Sequence, residues 1–257
     1  MKKNLLLSFL LLLAGVFTFS SCLNDDDNDS SSQLYVDNVS ISSSALSSSF
    51  YFIGSNGEIY NVGTNSTGST NYQSMKTAYI QFTILSTDSS TNGKKIYNID
   101  LKYAGSTLAT VNRAESLATA DSTKNDSIVE FKPFSVLNGK YLLLGINYYL
   151  YSRIHYMTLC YPNDNGFIKV SNASVPDTLR FYLHHNNNKD VASTTTSYQI
   201  WSTYPTLFYK TFDINDILSE AKMQNGGKNI YIDVVAKTQA TSGGNVTNTH
   251  SGFVYKP

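Results

Sequence analysis

Apolar and polar residues alternate with a period of two in stretch after stretch of this chain, the pattern of half-buried β-strands. In Ala78–Leu85, Tyr79, Gln81 and Thr83 fall on one face and Ile80, Phe82 and Ile84 on the other. Lys95–Tyr103 sets Tyr97, Ile99, Leu101 and Tyr103 against Ile96, Asn98, Asp100 and Lys102. Earlier, Leu34–Val36 and Val39–Ile41 form one extended segment. Phe50–Ile53 and Glu58–Val62 form a hairpin around Ser55-Asn56-Gly57, where Asn-Gly supplies the positive φ of a tight turn. These five strands in roughly 80 residues suit a small Greek-key barrel of the OB type.

Residues 104–127 lack this pattern. Val111–Ala120 is compatible with a short helical turn and Asp121–Asp126 is polar, so the stretch reads as a link. Alternation resumes at Ile128, with a strand that stops or bends at Pro133. Asn138-Gly139 turns the chain into Tyr141–Tyr151, followed by strands at Arg153–Tyr161, Thr178–His185, Ser197–Trp201, Thr206–Phe212, Asn229–Lys237 and Ser251–Tyr255. One helix interrupts them. Ile214, Ile217, Leu218 and Ala221 are helically spaced, Asp213 is positioned to cap, and Gly226-Gly227 ends it. The expected architecture is all-β: a barrel over 34–118, a linker at 119–127, and an immunoglobulin-like β-sandwich with one short helix over 128–257.

The first 33 residues follow different rules. Met1-Lys2-Lys3, an apolar run from Leu5 to Phe19 and Ser20-Ser21 precede Cys22. That run is short of the roughly 20 residues a spanning helix needs and has the layout of a secretory signal. Phe19-Ser20-Ser21-Cys22 resembles a lipobox, with Phe19 where Leu is usual. It implies cleavage of residues 1–21, lipid on Cys22 and attachment to a membrane. The acidic run that follows, with Asp25, Asp26, Asp27 and Asp29, is a solvated tether through residue 33. It also resembles the signal that exports Bacteroidetes lipoproteins to the outer face of the outer membrane.

Charge and composition exclude more than they identify. The chain has 19 basic and 19 acidic residues. Loss of Lys2 and Lys3 leaves 17 against 19, a net charge of −2. With the four tether aspartates set aside, the part from residue 34 onward stands near +2. That balance gives no footprint for nucleic acid. With Cys22 taken by lipid, Cys160 belongs to an alternating run as a small buried apolar residue.

Searching for chemistry yields little. The chain has no Gly-x-Ser-x-Gly, His-Glu-x-x-His, P-loop or Cys-x-x-Cys motif, and only four glutamates, 58, 115, 130 and 220. No catalytic residue and no cofactor is assigned. His184-His185 with Asp190 or Asp177 is the best metal candidate, but adjacent strand residues point to opposite faces, so no metal is expected there. Asp164-Asn165-Gly166 lacks the glutamate of a calcium loop. Asp121-Ser122-Thr123, Asp126-Ser127-Ile128 and Asp177-Thr178-Leu179 resemble a short bacterial O-glycosylation motif. Tyr148, Tyr149, Trp201 and Tyr204 are the candidate ligand-binding aromatics, able to stack on sugar rings if exposed, although strand aromatics more often pack in cores.

Taken in order, several stretches resemble the NigD-like lipoproteins. These are Ser21-Cys22 with its acidic run, Phe52–Tyr60, Tyr141–Tyr149, Ile154–Leu159, Asp177–His185 and Phe212-Asp213-Ile214. The resemblance implies an OB-type domain followed by a β-sandwich and a role in protection or immunity against a bacteriocin-like toxin. The family has no established catalytic residues. The expectation is a monomeric, non-enzymatic lipoprotein of the outer membrane, facing the cell exterior, with an unknown protein, peptide or glycan ligand. A glycan-binding accessory protein and a hydrolase with a dispersed site are the alternatives.

Overall fold

A computed structural model describes residues 33–43, 50–63, 66, 70–89, 94–114, 116, 125–172, 174–190, 205–239 and 245–257. Cys22, the aspartates at 25, 26, 27 and 29, the strand expected at Ser197–Trp201, and Trp201 and Tyr204 lie outside them.

Five strands form the first layer: β1 (Tyr35–Ser43), β2 (Phe50–Ile53), β3 (Ile59–Val62), β4 (Thr77–Ser89) and β5 (Lys95–Ser106). They close into a barrel in the order β1-β2-β3-β5-β4, with β3 and β5 parallel. Closure depends on β1, whose first half pairs with β4 and whose second half pairs with β2; Ser40 is in register with both. The faces are those the alternation predicts. Ile80, Phe82, Ile99 and Leu101 fill the interior with Val39, Phe52 and Tyr60. Each such side chain contributes about 1.5–3 kcal/mol on leaving water. Gly57 takes φ 85° in the predicted turn.

The second layer system contains β6 (Leu108–Ala114), β7 (Glu130–Leu137), β8 (Tyr141–Tyr148), β9 (Tyr156–Pro162), β10 (Phe167–Ile168), β11 (Asp177–Asn186), β12 (Thr206–Asp213), β13 (Ile230–Thr238) and β14 (Thr247–Tyr255). Their order is β14-β13-β11-β9-β6-β12-β8-β7, with β10 beside β11. The sheet folds over a core that includes Leu142, Leu144, Ile146, Leu159, Phe181, Phe212 and Val234. Its ends nearly meet. The Ile128 N–H donates to the Lys237 carbonyl at 3.0 Å, and the Gln239 N–H to the Ile128 carbonyl at 2.7 Å.

Residues 108–114 differ from the sequence reading. They lie in this second system rather than in the barrel, and they form a strand where a link with a helical turn was expected. β6 runs parallel to β12 at Leu108 and Ala109, then parallel to β9 from Thr110 to Ala114, so it crosses from one face of the sandwich to the other. Its partners lie 48 to 103 residues away in sequence, and its outward positions are exposed, so it carries little local signal. Pro133 behaves as expected: it sits at a bulge in β7, the terminal strand of the path. Asn138 (φ 48°) and Gly139 (φ 64°) form the β7–β8 turn.

Helix α1 (Asn215–Gln224) buries Ile217, Leu218 and Ala221, as its spacing requires. Asp213 does not cap it. The cap position falls to Ile214, and Asp213 ends β12, where its carboxylate takes the Asn215 N–H at 3.4 Å and pairs with Lys76 at 3.3 Å. Gly226 and Gly227, both at positive φ, end the helix. Barrel and sandwich meet at three buried threonines. The Thr77 hydroxyl bonds to that of Thr211, and Thr107 Oγ1 lies 3.3 Å from Thr77 Oγ1 and 3.2 Å from Thr211 Oγ1.

Candidate functional site

Buried polar side chains converge where β8 and β11 end. Asp190 lies after β11, past Asn188 and Lys189, two non-glycine residues at positive φ (53° and 57°) that fold the loop back. Its buried carboxylate is saturated with donors. The backbone N–H groups of Tyr151 (2.7 Å), Ser152 (2.9 Å) and Arg153 (3.1 Å) donate to it, as do Ser152 Oγ (3.1 Å) and His155 Nε2 (3.0 Å). Burial alone would raise its pKa. The bonds from Tyr151, Ser152 and His155 outweigh burial and hold the carboxyl below its usual range.

The network continues inward. His155 Nδ1 lies 2.9 Å from His185 Nε2, and His185 Nδ1 lies 3.2 Å from the Ser127 carbonyl oxygen. Both ends of this chain only accept hydrogen bonds. The Asp190 carboxylate and the Ser127 carbonyl therefore each take an N–H, from His155 Nε2 and His185 Nδ1. Burial and the neighbouring His155 lower the His185 pKa to about 4. His185 is therefore the neutral ring, donating from Nδ1 to the Ser127 carbonyl. Tyr148 packs beside the pair, with its ring stacked on His155 (centroids 4.8 Å apart) and on Phe208 (4.5 Å).

A pocket of about 370 Å³ opens against this network, lined by Asp126, Ser127, Tyr149, Tyr151, Asn187 and Gln239 together with the two histidines. All four ring nitrogens are already engaged within the protein, so neither imidazole has a nitrogen left to take a proton from a bound molecule. The pocket can hold a polar ligand, and its two histidines have no ring nitrogen free for it.

The other sequence candidates are distributed as follows. His185 and Asp190 share the network, but through His155, which the sequence reading did not single out. His184 is buried beside His185 in β11, and Asp177 stands at the far end of that strand, taking the Val170 N–H at 2.9 Å. Among the described residues, no cluster of three or more His, Cys, Asp or Glu side chains is arranged to hold a metal ion. Tyr148 is 4% exposed and stacked on two neighbours, which leaves no open ring face for a sugar. Tyr149 lines the pocket. Cys160 is fully buried and clusters with Ala114 and Tyr182. The Glu220 carboxylate pairs in bidentate fashion with Arg113, at 2.9 and 2.6 Å. The sequence signal that could have found His155 is slight: a histidine two residues after Arg153 at the start of a strand.

No protein-family profile and no curated protein matches the chain. Solved structures do. A lipoprotein candidate from Bacteroides fragilis shares 15% identity over 86% of this chain and 98% of its own, with a TM-score of 0.58. A protein of unknown function from Bacteroides vulgatus shares 16% over 88% of this chain and 92% of its own, with a TM-score of 0.54. A NigD-like immunity protein from Bacteroides caccae shares 19% over 90% of this chain and 100% of its own, with a TM-score of 0.49. The chain thus shares its all-β fold with the Bacteroides fragilis and Bacteroides vulgatus proteins.

Proposed function

We propose that this chain is a membrane-anchored surface lipoprotein that binds a ligand without converting it, in a protection role of the immunity type. One observation carries the non-enzymatic part: the most polar buried cluster among the described residues spends every imidazole nitrogen on internal bonds, as a structural brace does. The lipobox-like Phe19–Cys22 and the acidic tether support the anchor and the exterior location. The resemblance to NigD-like lipoproteins supports protection, with a toxin or peptide as the partner.

A second reading has an observation of its own. The polar pocket sets Tyr149 and Tyr151 beside Asp126, Asn187 and Gln239, the mix of rings and polar groups that holds a sugar. Retention of residues 33–257 on immobilised polysaccharides and on outer-membrane proteins separates the two. Glycan retention lost in Tyr149→Ala supports glycan capture, and retention only by a protein or peptide supports protection. Turnover of any bound probe overturns the non-enzymatic reading. For the anchor, Cys22→Ala is expected to abolish lipid incorporation and membrane association in cells; an unchanged distribution would refute it.

A further inference from the structure

Lys210 occupies a position that strand geometry assigns to the core. In β12 it alternates with Phe208 and Phe212, both packed in the sandwich interior, and it stands opposite the fully buried Leu144 of β8. A lysine there conflicts with the local pattern, and such conflicts mark function more often than stability. Burial lowers its pKa, with no carboxylate contributing, and its ammonium forms no ion pair with any described residue.

The surroundings explain how the lysine is accommodated. β8 borders β12 along its whole length, whereas β6 pairs with it only at Thr211 and Phe212 before crossing to β9. Beside the Thr206–Lys210 half of β12, which β6 does not pair with, a recess of about 450 Å³ opens, its walls mainly apolar: Tyr148, Leu150, Tyr151, Ile154 and Phe208, with Lys210 among them. Arg153 adds a second cation on an exposed part of the lining. The segment Tyr151–Arg153 is fixed in place by its three N–H bonds to Asp190, so this wall is preorganised.

We propose that this recess binds a small amphiphilic anion, an apolar body ending in a carboxylate, with the carboxylate on Lys210. A half-desolvated ammonium with no counter-charge among the described residues is costly, and an entering anion removes that cost. The size and apolar lining suit a molecule of about drug size held by one charged contact. The recess shares Tyr148, Tyr151 and His155 with the polar pocket but differs from it in chemistry.

Calorimetric titration of residues 33–257 with decanoate, below its micelle concentration, and with decanol as the neutral isostere tests this. Decanoate is expected to bind saturably and about tenfold or more tightly than decanol. Lys210→Met is expected to erase the difference, and Lys210→Arg to retain it. Absence of saturable decanoate binding, equal binding of acid and alcohol, or an undiminished preference in Lys210→Met overturns the proposal. None of these outcomes bears on the Tyr149 test of the polar pocket.

Discussion

His155 and His185 face each other ring nitrogen to ring nitrogen at 2.9 Å, and between them they tie three separate segments together. Through Asp190 the pair holds the Tyr151–Arg153 loop, and through the Ser127 carbonyl it holds the lead-in to β7. The contact is a structural joint held by the hydrogen bonds of its members.

Removing the carboxylate should therefore cost more than removing any surface ion pair. Asp190→Ala leaves the His155 ring and three backbone amides without their acceptor. The expected loss is about 3–5 kcal/mol, read as a lower urea midpoint at pH 7. A loss below about 1 kcal/mol would mean that water replaces the carboxylate at little cost.

Acid should weaken the same joint in a defined window. His185 titrates near 6.5 when unfolded and at about 4 when folded, so between these values the unfolded chain binds the extra proton. Stability then falls as pH drops from about 6.5 to about 4, by up to about 3 kcal/mol from this group. The Asp190 contribution, from a depressed carboxyl, is lost only as pH falls below its unfolded value of 3.8. His185→Gln keeps an amide that can bond to Ser127 and His155 but does not titrate, and it should flatten the pH 4–6.5 slope. Urea melts across that range check this, and an equally steep slope in the variant rules out His185 as the source.

Arg113 and Glu220 provide the contrast. Their bidentate pair links β6 to α1, but both side chains are about two-fifths exposed. Arg113→Ala should cost no more than about 1 kcal/mol. A larger loss in thermal melts would show that the arginine matters chiefly for packing on Tyr161, whose ring lies 5.6 Å away.

The junction between barrel and sandwich should respond to a single hydroxyl. Thr211→Val preserves shape but removes the group that both Thr77 and Thr107 reach. Those two can still bond to each other, at 3.3 Å, so the expected cost is about 1 kcal/mol. Hydrogen exchange at the Thr107 and Thr211 amides should quicken before that of the two cores; unchanged exchange would show that the hydroxyls do not hold the junction.

Gly252 tests close packing between strands. A Cβ there would lie 2.2 Å from the Ile232 carbonyl oxygen and 2.8 Å from the Tyr231 ring. Because the nearest atom is backbone, Gly252→Ala should displace β14 from β13 and cost about 1–3 kcal/mol. Proteolysis within β14 should rise in parallel, and a variant as resistant as the parent would refute the clash.

Local pattern was sufficient for much of this molecule. Ile80, Phe82, Ile99 and Leu101 face inward because a strand repeats every two residues, and Asn56-Gly57 and Asn138-Gly139 turn because they tolerate positive φ. Cys160 is buried, as its place in an alternating run required. Those properties belong to a few neighbouring residues, so the sequence by itself determined them. It did not determine β6, whose pairing partners are distant in the chain and whose exposed positions blur its alternation, nor the helix cap, which passed to Ile214 when Asp213 was drawn to Lys76. The joint of His155, His185, Asp190 and Ser127 was equally hidden, since its hydrogen-bonded pairs are 30 to 58 residues apart and meet only where two loops and a strand end converge. Hydrogen bonds act over about 3 Å, and which groups come that close is settled by packing, so it took the folded chain to show which histidine is held neutral, which carboxylate is saturated, and which lysine lines an apolar recess.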